Sequence, residues 1–85
     1  MKARHLKSKK VLECWQVSKE NEQPEWVKKA FSSSGFSWVS DKTLRIVNTG
    51  GLIKINAHLN EFLVYNGKYL KIVSESKFRQ DYHLQ

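Results

Sequence analysis

Along most of this chain apolar residues alternate with polar ones, and in one stretch they fall at helical spacing instead. VLECWQV (Val11–Val17) is rich in apolar and β-favouring residues and predicts a strand. After the polar loop SKENEQ, the segment PEWVKKAF sets Trp26, Val27, Ala30 and Phe31 on one helical face, with Lys28 and Lys29 on the other. Pro24 suits the first helical position, Glu25 complements the N-terminal dipole, and Gly35 is the expected left-handed stop.

Strand patterning returns at Gly35. FSWVS alternates Phe36 and Trp38 against serines, and Asp41-Lys42 turns the chain. In TLRIVNTGGLIKIN both a Thr49-Gly50 turn and a four-residue Asn48–Gly51 turn pair Val47 with Leu52, Ile46 with Ile53 and Leu44 with Ile55. The longer turn is preferred because the β-branched Thr49 resists positive φ. Either turn puts Arg45 opposite Lys54, a like-charge pair that mildly destabilises a sheet and so hints at function. In LVYNGKYLKIV a two-residue Asn66-Gly67 loop pairs Tyr65 with Lys68, Val64 with Tyr69, Leu63 with Leu70 and Phe62 with Lys71. Both faces of that hairpin are largely apolar, so each needs a cover or a partner. KFRQDYHL alternates Phe78, Gln80, Tyr82 and Leu84 against charged residues and reads as a strand, although Phe78 and Tyr82 would also meet on a helix.

The elements sum to one small α+β domain over residues 11–85. The expected architecture is a curved, mostly antiparallel sheet of five or six strands, a meander with barrel-like closure, and one short N-terminal helix covering a face. At 85 residues the chain has room for a modest core only.

Charge adds a feature that hydropathy does not. Lys2, Arg4, Lys7, Lys9 and Lys10 give the first ten residues five cations and no acid, whereas from Val11 onward ten Lys or Arg face eight Asp or Glu. The basicity therefore belongs mainly to an N-terminal arm over residues 1–10. It is expected either to be frayed and solubilising or to hold nucleic acid or another anion without sequence preference. No apolar run approaches the roughly 20 residues that span a bilayer, no secretory signal follows the basic start, and the single Cys14 suits a reducing cytoplasm.

Candidate chemistry is sparse. His5, His58 and His83 are scattered without metal-ligand spacing, Cys14 sits inside a predicted strand, and no carboxylate pair can be placed together. Neither catalysis nor a cofactor or metal is expected. Binding residues are easier to nominate. Arg45, Lys54 and Lys71, with Tyr69 and the arm's Arg4, Lys7, Lys9 and Lys10, would suit a phosphate-bearing ligand or a single-stranded nucleic acid. Trp38, flanked by serines, and Tyr69 are candidates for contact with a protein partner, while Trp15 and Trp26 carry core patterns.

Several stretches together resemble a family of small phage and prophage proteins of Gram-positive bacteria. LECWQV is similar to its V-E-A-x-Q-W strand, with Glu13 and Gln16 kept, and PEWVKKAF to the helix that follows. LRIVNTGGLIKIN resembles the hairpin before the central motif, NEFLV its G-D-Y/W-I-I strand, NGKYL its G-E-x-Y turn and FRQDY its F-x-x-T-Y closing segment. Asn60 stands for the central glycine, and Ile72-Val73-Ser74 for a Cys-Lys-Pro stretch. The resemblance implies a phage origin, a small α+β fold and a place in the cytoplasm of a bacterial host, and no site residues.

Two functions follow as expectations. The first is a non-catalytic phage-derived protein that modulates a host or phage complex, for example an anti-defence inhibitor acting on a CRISPR effector. The alternative is an RNA- or single-stranded-DNA-binding module using the basic face and arm.

Overall fold

The computed structural model describes residues 1–47 and 54–85. They form an α+β fold with eight strands in two antiparallel sheets, two short helices and, among the described residues, no closed barrel. The chain divides into two compact units, residues 1–16 with 60–85 and residues 17–59.

The first unit is a five-stranded sheet in the order β7-β6-β2-β1-β8. Its strands are β1 (Lys2–His5), β2 (Val11–Gln16), β6 (Phe62–Tyr65), β7 (Leu70–Val73) and β8 (Tyr82–Leu84). The residues expected to form a loose arm are therefore ordered. β1 lies inside the sheet, with Ala3 beside Leu12 of β2 and Leu84 of β8, and Ala3 is fully buried. Four residues with one small apolar side chain carry little pattern of their own; backbone pairing on both sides holds them.

The tail is the second departure. Glu75–Asp81 is a helix, α2, and only Tyr82–Leu84 is a strand. Ser74 caps the helix, its Oγ accepting from the Lys77 N–H, while the pairs Glu75–Arg79 and Lys77–Asp81 lie one turn apart along it. The helix turns Phe78 onto the sheet. There Phe78 stacks on Phe62, with ring centroids 3.7 Å apart, and on Tyr82 at 4.9 Å. Cys14, Val64, Val73 and Ala3 complete this core. Each fully buried phenylalanine contributes about 1.5–3 kcal/mol. On the other face Trp15 and Leu63, direct neighbours across β2 and β6, are also fully buried. Both apolar faces of LVYNGKYLKIV are thus buried along β6, and the helix over the first face is α2 rather than the N-terminal one.

The second unit is a local meander. Helix α1 (Glu25–Ser32) precedes a three-stranded sheet of β3 (Phe36–Trp38), β4 (Thr43–Val47) and β5 (Lys54–His58) in chain order. Pro24, expected as the first helical residue, is instead the N-cap, so the helix starts one position later at Glu25, and no side chain caps it. The left-handed residue after it is Ser34 (φ 66°), not Gly35. The expected helical face does turn inward: Val27 is buried, Trp26, Ala30 and Phe31 are half-buried, and both lysines are exposed. Phe31 meets Phe36 edge-on at 5.6 Å, and Val17, Leu44, Ile46 and Ala57 are buried in the same unit.

In both long hairpins the paired residues share the expected faces but slide by two residues. Tyr69, expected on the Phe62 face, leaves the strand for the loop, and Ile55, expected in the buried face, is 40% exposed. Tyr65 pairs with Leu70 and Val64 with Lys71, so the loop has four residues, Asn66 to Tyr69. Val47 pairs with Lys54, Ile46 with Ile55, Arg45 with Asn56 and Leu44 with Ala57; the Asn48–Gly51 turn and the Leu52 and Ile53 pairings lie outside the described residues. A slip of two preserves which side chains face inward, and a slip of one would not.

Candidate functional site

The β1–β2 connection, residues 6–10, is a tight loop held by its own polar groups. The Lys9 N–H donates to the His5 carbonyl at 2.8 Å and the His5 N–H to the Lys10 carbonyl at 2.9 Å. His5 Nδ1 accepts from the Ser8 N–H at 3.2 Å and lies 3.0 Å from Ser8 Oγ. Lys9 takes a left-handed conformation (φ 64°) to close the turn, and the Leu6 N–H reaches the Asp81 carbonyl at 2.8 Å. Lys7, Lys9 and Lys10 are consequently displayed on fixed backbone.

The β6–β7 turn is built with similar economy. Asn66 Oδ1 accepts from the N–H groups of Lys68 (2.8 Å) and Tyr69 (2.7 Å), and the Asn66 N–H donates to the Tyr69 carbonyl. Gly67 supplies the positive φ (94°) that the turn requires, and Tyr65 Oη donates to its carbonyl. This pattern favours the longer loop: the asparagine side chain satisfies both N–H groups inside it, including that of Lys68, which a two-residue turn would have paired with Tyr65. Tyr69 is left 66% exposed at the tip, with Lys68 Nζ 5.3 Å from its ring centre.

These two tips are neighbours. The start of β2 lies beside both the end of β1 and the end of β6, so the 6–10 loop and the Asn66–Tyr69 turn project from one end of the five-stranded sheet. Their centres are two strand spacings apart, about 10 Å. Lys7, Lys9, Lys10 and Lys68 lie at that end, with Arg4 and Lys71 just behind it on opposite faces of the sheet. None of the six has an ion-pair partner among the described residues. Of the acids nearby, Asp81 is 3.1 Å from Lys77 Nζ and Glu13 is half-buried across from Lys2. Leu6 (44%) and Val11 (46%) are exposed beside the lysines. The chain leaves this unit after Gln16 and returns at Asn60, both at the far end of the sheet.

The nominated residues thus separate into two sets. Arg4, Lys7, Lys9, Lys10, Lys71 and Tyr69 belong to the first unit and gather about this end; Arg45, Lys54 and Trp38 belong to the second. Arg45 does not face Lys54. It lies across from Asn56, and the two cations are diagonal neighbours on one exposed face, so the like-charge conflict is relieved by the two-residue slide. Trp38 is half-buried, stacked on Phe31 at 6.4 Å, with Lys19 Nζ 5.1 Å from its ring and 3.4 Å from Asp41 Oδ1. Lys68, Leu6 and Val11 were not nominated from the sequence. Lys68 was legible as the neighbour of Tyr69, whereas the other two needed the loop's position.

Reactive groups are poorly placed for chemistry. Cys14 is buried, and burial pushes its thiol up to about 11, which suppresses the nucleophilic thiolate. The His5–Ser8 contact has the elements of a base and a nucleophile, but both side chains are engaged in closing the loop, and the His5 ring packs edge-on against Tyr82 at 4.9 Å. Burial first, then the Asp81 charge, raises the Tyr82 hydroxyl above its ordinary value. Among the described residues no three His, Cys, Asp or Glu side chains converge as a metal site, and no helix is long and apolar enough to cross a membrane. No protein family, no curated protein and no solved structure matches the chain.

Proposed function

We propose that this protein is a non-catalytic binding module that holds the phosphate backbone of nucleic acid at the basic end of its five-stranded sheet. The observation that carries this reading is the convergence of two internally hydrogen-bonded hairpin tips bearing Lys7, Lys9, Lys10 and Lys68, none of them ion-paired among the described residues. Cations on preorganised backbone attract a polyanion with little further loss of chain entropy, and they release its condensed counterions on binding. Sequence alone favoured a partner-protein modulator on small size, absent catalytic groups and the family resemblance, and ranked nucleic acid second because the body beyond the basic tail is near neutral. Ordered into β1 and its loop, they support the nucleic-acid reading more strongly.

The test is the salt dependence of binding to a labelled oligonucleotide, followed by fluorescence anisotropy. With four phosphates neutralised, log K falls against log salt with a slope of about −3 on a single strand. Changing Lys7, Lys9 and Lys10 together to Gln should weaken binding and reduce that slope by about 2. Salt-independent binding, or an unchanged slope in the triple variant, overturns the reading. Deleting residues 1–10 is not a usable substitute, because β1 lies between β2 and β8.

The exposed Leu6 and Val11 beside the lysines favour a second reading, in which the nucleic acid is part of a host or phage nucleoprotein complex that this protein modulates. Apolar side chains would contact the protein component while the lysines meet phosphate. An affinity pull-down from host lysate with and without nuclease separates the two: a defined protein retained after nuclease supports the modulator, and capture that vanishes supports the simple module.

A further inference from the structure

Nothing in a set of lysines distinguishes a duplex from a single strand, but Tyr69 does. Its ring stands 66% exposed at the tip of a turn that fixes its backbone through two hydrogen bonds to Asn66 Oδ1. An aromatic ring of that exposure contributes nothing to the core and leaves apolar surface in water. In a duplex the faces of the bases are occupied by stacking on one another, so such a ring has nothing to stack on; in a single strand each base offers a free face. Lys68 Nζ lies over the ring, 5.3 Å from its centre, so a cation accompanies the aromatic surface and is at hand for the backbone of a strand bound there. The lysines of the neighbouring loop, about 10 Å away along the same end, extend the cationic track past the ring.

We infer that the ligand of this end is single-stranded nucleic acid, with an unpaired base stacked on Tyr69 and the backbone running from Lys68 toward Lys7, Lys9 and Lys10. This rests on the nucleic-acid reading above and adds to it the strandedness of the ligand and the role of one side chain. Asn66 and Gly67 are positioning residues, since they act by holding Tyr69 at the tip.

The experiment compares one labelled single strand of about a dozen nucleotides with the same sequence as a duplex, and both with vesicles containing anionic lipid. The proteins are the unaltered chain, Tyr69→Ala, Tyr69→Phe and the Lys7/Lys9/Lys10→Gln triple variant, each checked for an unchanged melting temperature. The expected result is a preference for the single strand of about ten-fold, lost in Tyr69→Ala, kept in Tyr69→Phe, with the salt slope the same in all three. The triple variant should instead reduce the slope and keep the preference. Equal binding of duplex and single strand, with Tyr69→Ala silent and the triple variant weakened, overturns the stacking inference while leaving the backbone reading intact. No salt-dependent binding to either oligonucleotide overturns both, and capture by anionic vesicles alone reassigns the end to a membrane surface.

Discussion

The two units of this protein solve the same problem, hiding one face of a small antiparallel sheet under a short helix, with different resources. The second does it locally: α1, β3, β4 and β5 follow one another within residues 17–59 and pair in chain order. The first is assembled from the two chain segments 1–16 and 60–85, and sequence-distant strands meet where β2 pairs with β6 and β1 with β8. Their charges differ as well. The first holds nine Lys or Arg against four Asp or Glu, the second six against four, so +5 of the net +7 resides in the first. The lesson is that the unit whose strands are joined across the greatest sequence distance also carries the cationic end. There, short charged segments are acceptable as strands because their neighbours, and not their own side chains, supply the stability.

Phe78 tests that contrast most strongly. Phe78→Ala removes the ring shared by Phe62 and Tyr82 and should cost about 3–5 kcal/mol in chemical denaturation. Phe31→Ala, at a half-buried position of the second unit, should cost about 1–2 kcal/mol. Equal losses would break the idea that the first unit depends on one aromatic stack.

Alkaline titration sharpens the comparison at intermediate scale. Burial raises the Cys14 thiol from 9.0 to about 11 in the folded chain, so the neutral form is favoured by folding. Its contribution is complete below pH 9 and is lost as pH rises through about 11, an effect of about 2–3 kcal/mol. Tyr82, raised by burial and by Asp81, acts in the same direction. The stability of Cys14→Ala measured from pH 8 to pH 11 should therefore decline less than that of the unaltered chain. Parallel declines would remove Cys14 from the account.

The smallest effect concerns the caps. Ser74 Oγ accepts the Lys77 N–H at the start of α2, whereas Pro24 gives α1 no side-chain cap. Ser74→Ala should cost about 1 kcal/mol. Hydrogen exchange should then show weaker protection in α2 with α1 unchanged; loss in both helices would mean that they do not respond separately.

How far the pattern could be read differed between the units for the same reason. PEWVKKAF declares its helix by spacing alone, and FSWVS and TLRIV their strands, because in the local unit each apolar residue meets a partner nearby in the chain. In the first unit the signals were weaker or ambiguous. Phe78, Gln80, Tyr82 and Leu84 alternate as a strand would, yet the serine cap and the paired charges one turn apart favour a helix up to Asp81. Lys2 to His5 offered one alanine among charges. The candidate site was half legible: its cations and Tyr69 were visible as residue types, and their meeting at one end was not.

By itself, then, the sequence determined the α+β class, the helix at Glu25–Ser32, and which residues of the described strand pairs share a face, because periods of two and of 3.6 are properties of the local backbone. Only the tertiary structure decided the two-residue slide of both hairpins, the strand made by the basic N-terminus, the helix that covers the larger sheet, and the gathering of Lys7, Lys9, Lys10 and Lys68 beside Tyr69. The physical reason is that inward and outward facing is fixed residue by residue. Register and strand order are instead settled by turn hydrogen bonds and by backbone pairing between segments that no local pattern connects.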